Sequence, residues 1–141
     1  MGKRREGREA AVQFLYQDDL NKTDAPSLTE ALDQFWTMRE SSARTREFAT
    51  ELIRGVLEKH DAIDEHIEKV AANYELHRIA PVDRNILRVA IYEMLYSSEV
   101  PPVVCINEAI EIAKRFGSED SGRFVNGILD RLKEETARPL R

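Results

Sequence analysis

The chain has 141 residues, 42% of them apolar and 33% charged, with a net charge of −5. The apolar share excludes a disordered chain, and the length suits a single domain that buries a core without staples. One cysteine, Cys105, excludes an internal disulfide and a cysteine-rich zinc module, and no apolar run approaches the roughly 20 residues that span a bilayer.

The spacing of apolar residues is helical nearly everywhere. Val12, Leu15 and Tyr16 place a first helix over about residues 4–20, with Arg5, Glu9 and Gln13 sharing a polar face. A loop is expected from Asn21 to Pro26. Ser27 and Glu30 form a capping box before a second helix faced by Leu28, Ala31, Leu32, Phe35 and Trp36. After a polar break at Ser41 and Ser42, Phe48, Leu52, Ile53 and Val56 face a third helix, with Gly55 inside it for close packing. Asp61 is the expected N-cap of a fourth, faced by Ile63, Ile67, Val70, Ala71 and Tyr74.

Pro81 fits the first turn of a fifth helix, whose wide apolar stripe (Ile86, Leu87, Ala90, Ile91, Met94 and Leu95) makes it the expected centre of the core. Pro101 and Pro102 end that segment. The run Val103 to Ile106 reads as the start of a sixth helix rather than a lone strand, because its neighbours are helical. Ala109, Ile110 and Ala113 continue that helix, and Gly117 caps it. Ser118 or Ser121 opens a seventh, which buries Val125, Ile128, Leu129 and Leu132, and the tail from Thr136 to Arg141 is expected to fray. The fold class is therefore all-α, with about seven helices in one domain. Residues of about 1–80 and 81–141 are the expected two packed halves.

Charge is unevenly spread. Residues 1–10 carry +2, residues 11–102 carry −7, and the remainder is neutral. The chain is not a general polyanion binder. A local cationic patch of Lys3, Arg4, Arg5 and Arg8 can still bind phosphate, because screening limits distant charges to about 8–10 Å. The alternative is a solvated helix start. No phosphate loop, dinucleotide fingerprint or nucleophile elbow is present, so no enzyme and no cofactor is expected. His60 and His66 stand six apart, which does not suit two ligands on one helix face, and no metal site is expected. Glu108 and Glu111 precede Lys114 and Arg115 at helical spacing, which suggests surface ion pairs. Cys105 lies on an apolar segment and reads as a core residue. The charged N-terminus has no apolar stretch behind it, so a secretory leader is not expected and a reducing cytoplasm is the expected setting.

The segment from Arg115 to Gly127 is less ordinary. Two aromatics, two arginines, three glycines and several hydrogen-bonding side chains share one turn between helices. Single-stranded RNA is recognised by stacking on aromatics and guanidinium planes and by bonds to base edges, and this turn holds those parts. The alternative is a helix–turn–helix with Phe116 and Phe124 in the core.

Three stretches carry a resemblance: Arg8 to Tyr16 (REAAVQFLY), Val82 to Leu95 (VDRNILRVAIYEML), and Pro101 to Asp130, with NEAIEIAKRFG and FVNGILD inside it. Together they resemble the NusB family of bacterial transcription antitermination and termination factors, in order and over nearly the whole chain. The resemblance implies an all-helical fold of two three-helix halves with an additional helix, and no enzymatic activity. It implies pairing with NusE, which is ribosomal protein S10, and binding of the boxA element of ribosomal RNA operon transcripts. RNA polymerase and other Nus factors are then indirect partners, in an assembly that suppresses premature termination. Carried over to this sequence, it implies an RNA surface of Lys3, Arg4, Arg5, Arg8 and Gln13, with Ser118, Asp120, Arg123 and Phe124 in the second region and Arg88 as an added phosphate contact. Asp120, being anionic, would accept hydrogen bonds from a base edge. Tyr16, Asp83 and Arg84 are the expected NusE-facing residues. Two other readings stand beside this one: a protein–protein adaptor without RNA contact, and the helical RNA-binding domain type found in certain ribosomal RNA cytosine methyltransferases. Monomer and homodimer are both open.

Overall fold

The computed structural model describes residues 2–21, 27–71, 74–97 and 99–137. Among them are seven α-helices: α1 (Lys3–Asn21), α2 (Leu28–Thr37), α3 (Ala43–Glu58), α4 (His60–Val70), α5 (Pro81–Tyr96), α6 (Pro102–Phe116) and α7 (Ser121–Ala137). A single 3-10 turn, Leu76–Arg78, precedes α5. The expected loop at residues 22–26 and the tail at 138–141 lie outside the described residues.

Helix α5 is the hub. It packs against α1 and α3 on one side and α6 and α7 on the other, and it also meets α4. Of its expected apolar stripe, Ile86, Leu87, Ala90 and Ile91 are buried and Met94 and Leu95 half-buried, while Val89, outside that stripe, is buried as well. Each fully buried Ile or Leu contributes roughly 1.5–3 kcal/mol, so this stripe outweighs any single polar contact. Pro81 and Pro102 stand in the first turns of α5 and α6, where a missing amide costs little. Ser27 Oγ accepts the Glu30 amide at the start of α2, and Ser42 Oγ accepts that of Thr45 at the start of α3.

Two glycines permit close helix contact. A Cβ on Gly55 would lie 2.1 Å from Cζ of Tyr92, so α3 and α5 approach through that position. A Cβ on Gly7 would lie 2.6 Å from Cδ2 of Phe48, which lets α1 settle on α3.

The structure corrects several expectations. Asp61 is not the cap of α4. That helix starts at His60 directly after Lys59, which closes α3, so Asp61 sits in the first turn and makes no side-chain cap. Its charge there still favours the helix dipole. Tyr74 is not part of the α4 core face: the helix ends at Val70, and Tyr74 is 53% exposed. Gly117 does close α6, but with φ −93° and ψ −170°, extended backbone that any residue adopts. Glycine is required there because a Cβ would lie 2.4 Å from Ser121 Oγ. Helix α7 opens at Ser121, not Ser118, and Ser121 Oγ accepts the Ser118 amide at 2.9 Å.

Candidate functional site

The cations at the start of α1 have separate fates. Lys3 and Arg4 are exposed. The Arg4 guanidinium lies 4.8 Å from the centre of the Phe48 ring. Arg5 is half-buried and donates to both carboxylate oxygens of Glu108 on α6, at 2.9 and 2.8 Å. Arg8 is only 5% exposed and donates to both oxygens of Glu93 on α5, at 2.6 and 3.0 Å. Glu108 also approaches Arg8 at 3.5 Å, so one carboxylate serves two arginines.

These pairs shift ionisation in consistent directions. Arg5 hydrogen bonds hold the Glu108 carboxyl below the usual range and raise the Arg5 guanidinium in turn. Burial opposes the Arg8 charge, but the hydrogen bonds and charge of Glu93, with Glu108, outweigh it and raise that guanidinium too. Burial, with the nearby Glu93 charge, pushes the Cys105 thiol up to about 12. A thiol held protonated in this way is no nucleophile at neutral pH.

The polar face expected for Arg5, Glu9 and Gln13 is covered. Glu9 is buried and accepts from Arg115 on α6 at 2.8 Å, and Gln13 Oε1 accepts from Arg39. Glu108 therefore pairs across helices rather than with Lys114 or Arg115. Glu111 does pair with Lys114, at 3.4 Å.

A second network joins α1, α4 and α5. Arg88 is 5% exposed and donates to both oxygens of Asp64 at 2.8 and 3.0 Å, to Asp19 at 3.1 Å and to Asn85 at 3.1 Å. Arg84 pairs with Asp19 at 2.8 Å and donates to the carbonyls of Leu76 and Ile79. Burial opposes the Asp19 charge, yet the Arg84 hydrogen bond, the Arg88 charge and the Asn85 hydrogen bond hold its carboxyl below the usual range. The phosphate contact expected of Arg88 is thus corrected: its guanidinium is engaged inside, and an unpaired Asp64 would be costly. The same holds for Arg8, and Arg84 is an internal anchor rather than a displayed side chain. Asp83, in the first turn of α5, is buried, and its Oδ1 has no hydrogen-bond partner among the described residues. Tyr16 is half-buried.

The turn between α6 and α7 and the first turn of α7 hold the second group of expected residues. Ser118, Asp120 and Arg123 are exposed and Phe124 is half-buried. Sequence reasoning missed the Phe48 platform, the Arg8–Glu93 pair and the Tyr74–Phe124 contact, whose rings stand 5.2 Å apart at 80°. One signal was available: Glu93 interrupts the apolar stripe of α5, and a buried carboxylate needs a cation.

Fold and surface define an all-helical protein with two cation-bearing surface regions, one at the start of α1 and one at the α6–α7 turn. A family model of the NusB family matches residues 5–134, and the chain belongs to that family. The transcription antitermination protein NusB of Desulfotalea psychrophila is 48% identical over 136 residues, covering 94% of this chain and 96% of its own. That of Sorangium cellulosum is 44% identical over 138 residues, covering 98% of this chain and 96% of its own. Among solved structures, NusB of T. maritima superposes with a TM-score of 0.81 at 37% identity, over 96% of this chain and 92% of its own. A crystal structure of antitermination factors NusB and NusE in complex with dsRNA matches with a TM-score of 0.83 at 24% identity, over 96% of this chain and 98% of its own, a likeness of fold. No helix among the described residues is long and apolar enough to cross a membrane.

Proposed function

We propose that this chain is a non-enzymatic transcription antitermination factor of the cytoplasm. In this reading it pairs with NusE and binds the boxA RNA of ribosomal RNA operon transcripts, suppressing premature termination by RNA polymerase. The observation that carries the reading is the 48% identity to a transcription antitermination NusB over nearly the full length. The polar chemistry agrees. Glu93, Asp64, Asp19 and Glu108 each accept from an arginine, which suits structural ion pairs, and burial keeps the Cys105 thiol protonated.

The RNA surface proposed consists of Lys3, Arg4 and the exposed part of Arg5 at the start of α1, and of Ser118, Asp120, Arg123 and Phe124 at the α6–α7 turn. Arg8, Gln13 and Arg88 support this surface from within. Three or four phosphate contacts on a single strand give a salt slope of about −2 to −3, which is modest. A partner that adds RNA surface makes physical sense of a heterodimer. For NusE, the start of α5 is the proposed face, with Tyr16 beside it. There the negative charge of Asp83 favours a basic partner, while Arg84 keeps the helix start in place.

Fluorescence anisotropy of labelled boxA RNA against a scrambled control, with and without NusE at two salt concentrations, tests this. Tighter boxA binding with NusE, weakening with salt, is the expected result. NusE binding without any RNA binding leaves a protein adaptor, and binding to neither overturns the reading.

A further inference from the structure

Helix α7 carries a glycine that packing does not explain. Gly7, Gly55 and Gly117 each stand where a Cβ would meet another atom at 2.6 Å or less, and Gly122 has ordinary contacts at 3.8 Å. A Cβ on Gly127 would meet nothing within 4 Å, and its backbone is ordinary helix. Glycine inside a helix is unfavourable relative to alanine, and the usual reason to keep it is close approach of something to the backbone.

The open space beside Gly127 is not bare surface. It belongs to a cleft of about 180 Å³ between the end of α4 and the first turns of α7, lined by Tyr74, Phe124, Arg123 and Arg131 among others. Tyr74, 53% exposed, meets the Phe124 ring in an edge-on contact, which holds an aromatic side chain in solvent where a core role would have buried it. Arg131 donates to the carbonyl of Val70 at the other side of the cleft, which fixes its guanidinium at the rim. Neither Arg123 nor Arg131 forms an ion pair with a described residue, unlike Arg5, Arg8, Arg84 and Arg88. The aliphatic residues in the lining, Ala71 and Ile128, are themselves buried and offer little anchor for an apolar protein side chain.

We propose that this cleft seats one nucleobase of single-stranded RNA. Resting on the RNA reading above, the proposal adds Tyr74, Gly127 and Arg131 to the binding residues. The base lies over the bare backbone of Gly127 against the Tyr74 and Phe124 rings, and the flanking phosphates reach Arg123 and Arg131. Aromatic stacking with cations beside it is the chemistry by which proteins hold unpaired bases. Gly127 keeps the volume that a methyl group would occupy.

The test sets two readouts against each other. In the full chain, Gly127→Ala raises the melting temperature by roughly 3 °C, because alanine favours helix. The same variant weakens binding of a labelled boxA RNA about fivefold or more, the low end of one lost base stack. Tyr74→Leu weakens it as well. It also abolishes the fluorescence quenching of the one 2-aminopurine, among single substitutions along the RNA, that stacks on binding to the unaltered chain. If the unaltered chain binds boxA and both variants bind it equally well, the cleft is no base seat, although the RNA reading stands. Loss of NusE binding with RNA binding intact makes the cleft a protein dock and overturns the proposal. If the unaltered chain binds no RNA, the underlying reading fails first and takes this one with it.

Discussion

At the start of α1 four cations stand within six residues, yet Arg8 is buried on Glu93 and Arg5 is held by Glu108. At the start of α7 a single arginine, Arg123, is exposed and has no carboxylate partner among the described residues. The richer patch is therefore the more neutralised one. A count of arginines measures how much charge a segment carries. How much of it reaches a ligand depends on which carboxylates lie across the helix interface, here on α5 and α6. The inward-facing pairs lock α1 in register against the hub, and the outward-facing cations are left for a polyanion.

The largest effect that separates the two regions is on stability. Arg8→Ala leaves Glu93 buried without its cation and is expected to cost about 3–5 kcal/mol, read by urea unfolding, whereas Arg123→Ala stays within about 0.5 kcal/mol. Equal costs would erase the contrast.

The next is the salt dependence of RNA binding. Removing Arg123 lowers the slope by about 0.7, and removing Lys3 and Arg4 together lowers it by about 1.4. A refolded Arg8→Ala protein should keep the slope of the unaltered chain. A reduced slope in that variant would return Arg8 to the RNA surface.

Acid sharpens the contrast further. The Glu108 and Asp19 carboxyls are held below their usual range in the folded chain. Their stabilisation is therefore present above the unfolded pKa, about 4, and is lost as pH falls through the lower folded values. Unfolding titrations should show stability dropping below about pH 4, less steeply in Glu108→Gln.

The smallest effect concerns the clamp itself. Glu108→Gln removes the charge that competes with phosphate for Arg5 and is expected to tighten RNA binding about threefold, within the range of a part-exposed ion pair. In an Arg5→Ala background the gain should vanish, and a gain that persists there would mean a general charge effect.

Much of this architecture was legible in the chain. Apolar period found all seven helices, though it ran α4 four residues too far, and picked out α5 as the hub, because burial of an apolar stripe is the largest energy in the fold and writes itself at fixed spacing. Gly55 was readable as a packing position, since it falls amid the apolar face of its helix. The exposed part of the candidate site, Arg123 with Ser118 and Asp120, was legible because the turn combines aromatics, cations and small residues in one short segment. The fates of Arg8, Arg84 and Arg88 were not. Their partners lie 85, 65 and 24 residues away in sequence, and no local rule connects them.

Sequence alone determined the helical class, the helix order, the capping at Ser27 and the family resemblance, all of which rest on local spacing and on residue identity. Only the tertiary structure decided which arginines face water, why Gly117 must lack a side chain, and that Tyr74 stands outside the core beside Phe124. The physical reason is range. Helix periodicity acts over three or four residues, whereas an ion pair or an aromatic contact depends on the few ångströms between side chains that packing alone brings together.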